Sequence, residues 1–404
     1  MQNKEAFMNN ILYGDGIHDD YPAIQEMLDS GASLVYLPSP KKHYFISSCL
    51  KLHSNQELRL DRYTLIRLMP DSNCTMIENA DVENFNENIT ISGGIWDMNH
   101  KEQYPNPLHY PNPETGMVYR EWVKENKIDK SVRQRFGIYL GMCFVFNGIK
   151  GFTMNNLTIK NPVTFGADLA FVKDFTIENI QFDYTEGSPK LWNMDGIHVE
   201  GGCKNGVIRN LKGACHDDMV AITSDDFVHG PVENITVDGI YAQNCHSAVR
   251  LLSVKNAVKN IHITNVYGTF YADGIVISKF FPGDTRSGFE NITIDNIYAS
   301  LCKGTKDVPG NRRPLIWIAS DMNIKNLSIS HVHRNETVCT NPTIGIDPNT
   351  CITNLCVDCA TQTNSLSTPM PFLVNQGRIE NLYLSRIDAG DDEVLVNEGE
   401  ILSH

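Results

Sequence analysis

Three short segments decide the fold: LWNMDGIHVEGG (191–202), GACHDDMVAITSDD (213–226) and NCHSAVRLLS (244–253). Each carries apolar residues at alternate positions: Ile197 and Val199, Val220 and Ile222, Val249 and Leu251. Such alternation over a short run predicts a strand with one buried face. Each strand is preceded by polar residues that add nothing to a strand: Asn193 and Asp195, then His216, Asp217 and Asp218, then His246 and Ser247. If the strands stack with their alternation matched, Asp195 lies beside Asp218, and Asp217 is one residue upstream. Three carboxylates then share one patch. Like charges so close raise at least one pKa, a cost that points to chemistry rather than to stability.

Working outward, one phrase returns through most of the 404 residues: an asparagine-rich turn followed by apolar–polar–apolar. It begins as NITISGGIW (88–96) and recurs nine times, from GFTMNNLTI (151–159) to NLYLSRIDA (381–389). From the second copy onward the spacings are 23, 31, 29, 26, 31, 35, 28 and 27 residues. Intervals of that length with about three short strands each fit one coil of a parallel β-solenoid. Asparagine and glycine recur where a corner needs positive φ, which they tolerate at least cost. The expectation is therefore one all-β domain over 1–404, a single-stranded right-handed parallel β-helix of about ten coils, with regular coils over 150–390. Residues 1–52 are expected to form an N-terminal cap. Within them a helix runs from Asp20 to about Asp29, stopped at Gly31, and a strand from Leu34 to Leu37 follows. A solenoid end exposes its core, so a capping helix there has a physical purpose.

Residues 97–135 break the rhythm. They are polar, rich in proline, and hold Tyr104, Tyr110, Tyr119 and Trp122. An insertion of this size in a compact repeat is expected to form a wall or lid over the groove.

Composition narrows the function. The net charge of −14 argues against nucleic acid or anionic membrane as partner, and no apolar run approaches the ~18 residues of a membrane helix. The opening MQNKEAFMNNILYGDG has no apolar signal segment. A cytosolic location is expected, or a secreted one if a leader has been removed. Eleven cysteines cannot all pair within the chain and read as small buried hydrophobes. Cys351, Cys356 and Cys359 would need a fourth ligand, such as Cys339, to hold zinc, so no metal is expected.

The stretch GDGIHDD…AIQ…VYLP resembles the N-terminal cap of the pectate-lyase-like β-helix superfamily. The order cap, coils, NxDGI, xDDxxAI and a histidine at the next strand start resembles glycoside hydrolase family 28, the polygalacturonases and rhamnogalacturonases. That resemblance implies a glycoside hydrolase that inverts configuration and needs no cofactor, with Asp217 as general acid. Asp195 and Asp218 would position and deprotonate water. The chemistry agrees, because glycoside hydrolysis needs one protonated carboxyl at the leaving oxygen and one ionised carboxylate.

Two departures stand out. CHSAVRLLS places Ser247, not His246, at the family's histidine position, and Val276, Ile277 and Ser278 replace its Arg-Ile-Lys carboxylate clamp. Substrate contacts are expected from Asn193, His198, His216, His246, Arg250 and Lys279. Arg250 could bind a substrate carboxylate or neutralise Asp217 or Asp218. Asp225 and Asp226 read as subsite residues or as loop residues that bind no calcium, and Phe270, Tyr271, Phe280 and Phe281 as a sugar platform or packing. The expected partner is a carbohydrate, and the expected reaction is hydrolysis of a substrate other than plain polygalacturonate. The alternatives are a glycan-binding spike or adhesin without catalysis, and a polysaccharide lyase.

Overall fold

The computed structural model describes residues 11–135, 137–185, 187, 189–281, 288–304, 310 and 312–404. Most of the opening segment read for a signal therefore lies outside the described residues. The fold is all-β, a right-handed parallel β-helix preceded by a capping helix. The chain divides into two compact units, residues 1–129 with 133–194 and residues 130–132 with 195–404.

In the first unit the helix spans Tyr21–Asp29, with Pro22 in its first turn and Ala23, Ile24 and Leu28 buried. Ser30 caps it and Gly31 follows at φ +79°. The strand Leu34–Leu37 pairs in parallel with Gln56–Leu60, which pairs with Asn86–Ser92, which pairs with Phe144–Asn155. The insertion is not structureless. It contains a 3-10 turn at His100–Glu102 and a helix at Tyr119–Glu125. Tyr119 is buried and stacks with Trp122 at 6.5 Å between ring centroids, so two of its aromatics pack on each other.

The second unit shows the repeat at its most regular. Strands Lys204–Ala214, Val232–Cys245, Val258–Phe270, Phe289–Leu301, Asn323–Glu336, Cys351–Asn364 and Arg378–Asp388 pair in parallel, each with the next. The corners are turned by asparagine, as at Asn205, Asn234, Asn260 and Asn291, with φ between 54° and 60°. Their side chains also form a ladder that the sequence did not announce. Asn234 donates to Asn205, Asn260 to Asn234, Asn291 to Asn260, Asn326 to Asn291, Asn354 to Asn326 and Asn381 to Asn354, at 2.8–3.0 Å. One residue type thus supplies the left-handed turn and satisfies its own amide against the next coil.

A second face of this unit carries the short strands Ile197–Val199, Asp218–Thr223, Ser247–Leu252, Ile275–Ser278 and Ile316–Ile318. Their register is the one that matched alternation predicts: Ile197 with Val220, Val220 with Val249, Val249 with Ile275, and Ile275 with Ile316. These five side chains are fully buried. At roughly 1.5–3 kcal/mol for each buried aliphatic, they fix the register against a one-residue slip, which would turn all of them away from this interior column. The facing column is His198, Ala221, Arg250, Val276 and Trp317.

Cysteines fill the interior at Cys143, Cys203, Cys215, Cys245, Cys302 and Cys339, as expected. Cys351 and Cys356 depart from that reading, because both are exposed on the strand Cys351–Asn364.

Candidate active site

The register of the second unit carries Asp195 to the side of Asp218, and the Gly196 amide donates to the Asp218 carbonyl at 2.9 Å. Asp195 is 2 % exposed and Asp218 is fully buried, whereas 19 % of the Asp217 side chain reaches solvent. Burial pushes the Asp195 carboxyl up to about 8, and the Asp217 charge adds to it. Burial likewise raises Asp218 to about 6, against the pull of Arg250. The expected rise in pKa therefore falls on the two buried members.

Arg250 Nε lies 3.0 Å from Asp218 Oδ2. This pair sets a positive charge beside the cluster. The contact is an ion pair without the alignment of a hydrogen bond, and neither Asp218 oxygen accepts a hydrogen bond from the described residues. His246 stands at the start of the next coil, its Nδ1 3.6 Å from Asp217 Oδ1 and 3.0 Å from Ser247 Oγ. Ser247 is the residue in register with Asp218. His216, half-buried, directly precedes Asp217, and Lys279, also half-buried, follows the strand Ile275–Ser278.

Several expectations are corrected. His198 is 1 % exposed, with Nδ1 2.9 Å from Asp195 Oδ2 and Nε2 3.2 Å from Glu200 Oε1. Both of its ring nitrogens face carboxylates. Asp225 is buried and accepts the amides of Val254, Lys255 and Asn256 at 2.7–2.8 Å, which holds its carboxyl low despite burial. Of its two readings, these contacts fit the loop residue. Phe270 and Tyr271 are fully buried, which leaves Phe280, 67 % exposed, as the open ring of that group. The Arg250 guanidinium lies 5.6 Å from its centroid. Val276 and Ser278 are buried, so nothing charged takes the place of the missing clamp at those two positions.

Asn193 belongs to the first unit. Its φ is 57°, and its Oδ1 lies 2.8 Å from His109 Nε2 and accepts from Asn106 Nδ2 at 3.2 Å. The insertion thus fixes the residue two places before Asp195.

Sequence reasoning missed Glu200 and Asp273. Glu200 is fully buried, and its outward parity with His198 could have found it. Asp273 is fully buried, 3.4 Å from Arg313 Nη1, and burial raises its carboxyl. No local pattern marks it. Among the described residues two groups bring metal-type donors within 4.8 Å: His198, Glu200 and Asp226, and Asp217, Asp218 and His246. In the first, the imidazole nitrogens face carboxylates and Glu200 accepts backbone amides. Cys351, Cys356 and Cys359 form no such group.

Residues 138–246 match the profile described as Glycosyl hydrolases family 28, a span that includes Asp195, Asp217, Asp218 and His246. No curated protein sequence matches the chain. Among solved structures, the endo-xylogalacturonan hydrolase of Aspergillus tubingensis is similar at TM-score 0.55 and 15 % identity, over 97 % of this chain and 94 % of that one. The surface adhesin PfbA of Streptococcus pneumoniae is similar at 0.54 and 16 %, over 96 % and 97 %. The A-module of the mannuronan C-5 epimerase AlgE6 of Azotobacter vinelandii is similar at 0.58 and 14 %, over 98 % of each. At such identities these three speak for the fold alone. The profile covers the coils that hold the aspartates, and this stretch of the chain is similar to glycosyl hydrolases family 28.

Proposed function

We propose that the protein is a glycoside hydrolase that cleaves an oligo- or polysaccharide by acid/base catalysis with inversion. The observation that carries this reading is the graded exposure of three adjacent carboxyls, with Asp217 reachable and Asp195 and Asp218 buried beside it. Asp217 gives its proton to the leaving glycosidic oxygen. Water attacks the anomeric carbon from the opposite face and loses its proton to Asp195 or Asp218, so the carboxyl group that gives a proton and the one that takes it balance. The open lone pairs of Asp218 suit a carboxylate that holds water. Reducing ends released from a panel of glycans, without unsaturated product, would support hydrolysis. Unsaturated ends would indicate a lyase instead. A second reading is glycan binding without turnover; PfbA, described as a surface adhesin, shares the fold. Saturable binding with no product after prolonged incubation would select it.

The pH dependence follows from the buried acids. Water activation needs Asp195 or Asp218 ionised, and burial holds them at about 8 and about 6. The acidic limb of kcat/KM should therefore lie at about pH 6 or above, not near the ordinary carboxylate value of about 4. The sign for stability is the reverse. The fold keeps protons that the unfolded chain has released, so this contribution is complete below about pH 4. It is lost as pH rises through about 6 and then about 8. Thermal melts and rate profiles across pH 4–9 check both, and a rate plateau already reached at pH 5 would contradict the assignment.

Polygalacturonate is expected to be a poor substrate. Val276 stands in register with Arg250 where a charge would be needed, and Arg250 is engaged by Asp218. Loss of one charge-assisted hydrogen bond costs about 1.5–3 kcal/mol, or roughly 10–150-fold in kcat/KM. Neutral or singly acidic oligosaccharides should exceed polygalacturonate by that margin in a competition assay. Equal turnover would show that Arg250 or Lys279 binds the carboxylate after all.

A further inference from the structure

The buried group behind Asp195 has a directional order. His198 Nδ1 lies 2.9 Å from Asp195 Oδ2, and its Nε2 lies 3.2 Å from both Glu200 Oε1 and Thr223 Oγ1 and 3.8 Å from Asp226 Oδ2. Glu200 is itself anchored by the turn after the strand Asp218–Thr223. Its Oε1 accepts the Phe227 amide at 3.3 Å, and its Oε2 accepts the Val228 amide and the Thr223 hydroxyl, each at 3.1 Å. The Phe227 ring meets the imidazole edge-on at 6.4 Å. With both carboxyls ionised, a neutral imidazole with its one N–H could serve only one of them; an imidazolium serves both.

We propose that Glu200, His198 and Asp195 form a buried positioning relay, in which Glu200 clamps the His198 imidazolium and its Nδ1–H fixes the carboxyl that handles the attacking water. The proposal rests on the hydrolase reading and adds to it the part that sets Asp195. An ion group buried this deeply is costly to maintain for stability alone, because desolvation offsets the attraction. Its placement against one of the three reacting carboxyls gives that cost a purpose. The charges around His198 are consistent with an imidazolium: Asp195, Glu200 and Asp226 face it, while Arg250 and Lys130 add positive charge next to Asp226. Burial works against a charge on His198, and the Glu200 and Asp195 carboxylates overcome it. His198 is a positioning residue here, since it acts through Asp195.

Histidine-selective 15N NMR on the intact protein tests the clamp without any assay of activity. His198 should carry protons on both ring nitrogens at pH 8, and Glu200→Gln should bring its titration down toward that of an ordinary histidine. A neutral His198 in the wild-type protein at pH 8 would overturn the proposal. Kinetics test the purpose. His198→Gln and Glu200→Gln should lower kcat roughly 10–100-fold, as loss of an orienting partner does elsewhere, with KM nearly unchanged. In His198→Gln the acidic limb should move up by about one pH unit, because Asp195 loses a cation that favours its ionised form. A role in folding alone would lower the melting temperature and leave the limb in place, and that result too would overturn the relay. If the wild type turns over no glycan while His198 is charged and responds to Glu200→Gln, the clamp stands and the hydrolase reading fails.

Discussion

Asp217→Asn is expected to lower turnover of a native glycan roughly 10²–10⁴-fold, the usual worth of general acid catalysis. The amide keeps the shape of the side chain but has no proton to give to the leaving oxygen. Asp217 is the member of the three that solvent reaches, and His246 lies 3.6 Å away across the coil. A substrate with an activated leaving group needs no protonation and should lose much less. Asp195→Asn and Asp218→Asn should impair both kinds of substrate, since water must be activated either way. The fold should hold or gain stability, because the Asp217 charge acts against both buried neighbours. For the same reason the acidic limb should move to lower pH in Asp217→Asn. Near-full activity of a folded Asp217→Asn protein on a native glycan would show that another group is the acid. If all three substitutions leave binding intact and no activity exists to lose, the glycan-binding reading takes its place.

The site was legible where it depended on strand register, and illegible where it depended on burial. Matched alternation places Ile197, Val220, Val249 and Ile275 in one interior column, and the position of Asp195 beside Asp218 follows from that alone. Alternation also gives His198 and Arg250 the same face. It says nothing of how deep each sits. A residue on the outer side of a strand can still be buried, as His198, Val276 and Ser278 are. The same limit explains Asp225, whose partners Val254, Lys255 and Asn256 come from the following coil. The cap helix and the strand after it were readable because proline, glycine and the apolar spacing act locally. The helix Tyr119–Glu125 was not, because it lies within an insertion rich in proline and polar residues.

Glu336→Ala is expected to destabilise the second unit by roughly 3–5 kcal/mol, the cost of breaking a buried ion pair from one side. Arg334 and Glu336 have no exposed side-chain surface, and the guanidinium reaches Glu336 Oε2 through Nη2 at 2.7 Å and Nε at 3.0 Å. Arg334 also donates to the carbonyls of Asn341 and Cys339 and to Thr343 Oγ1. Glu336 Oε1 accepts the amides of Thr337, Val338 and Cys339, and Oε2 accepts that of Leu301 from the preceding coil. Removing the carboxylate leaves a buried cation without a counter-charge and four amides without their acceptor. Burial already pulls the Arg334 pKa down, and the Glu336 charge is what opposes it. The reverse substitution is less severe. In Arg334→Met the carboxylate keeps its four amide donors, so the expected loss is smaller, at about 1–3 kcal/mol. Glu336→Gln should fall between them, since its amide oxygen can still accept from the backbone. Urea unfolding of the three variants measures this order through the midpoints, with the slope unchanged if the unfolded state is unaffected. A loss below about 1 kcal/mol in Glu336→Ala would mean that water or a shifted loop takes over the role of the carboxylate. Arg334→Met costing more than Glu336→Ala would place the anchor on the cation instead.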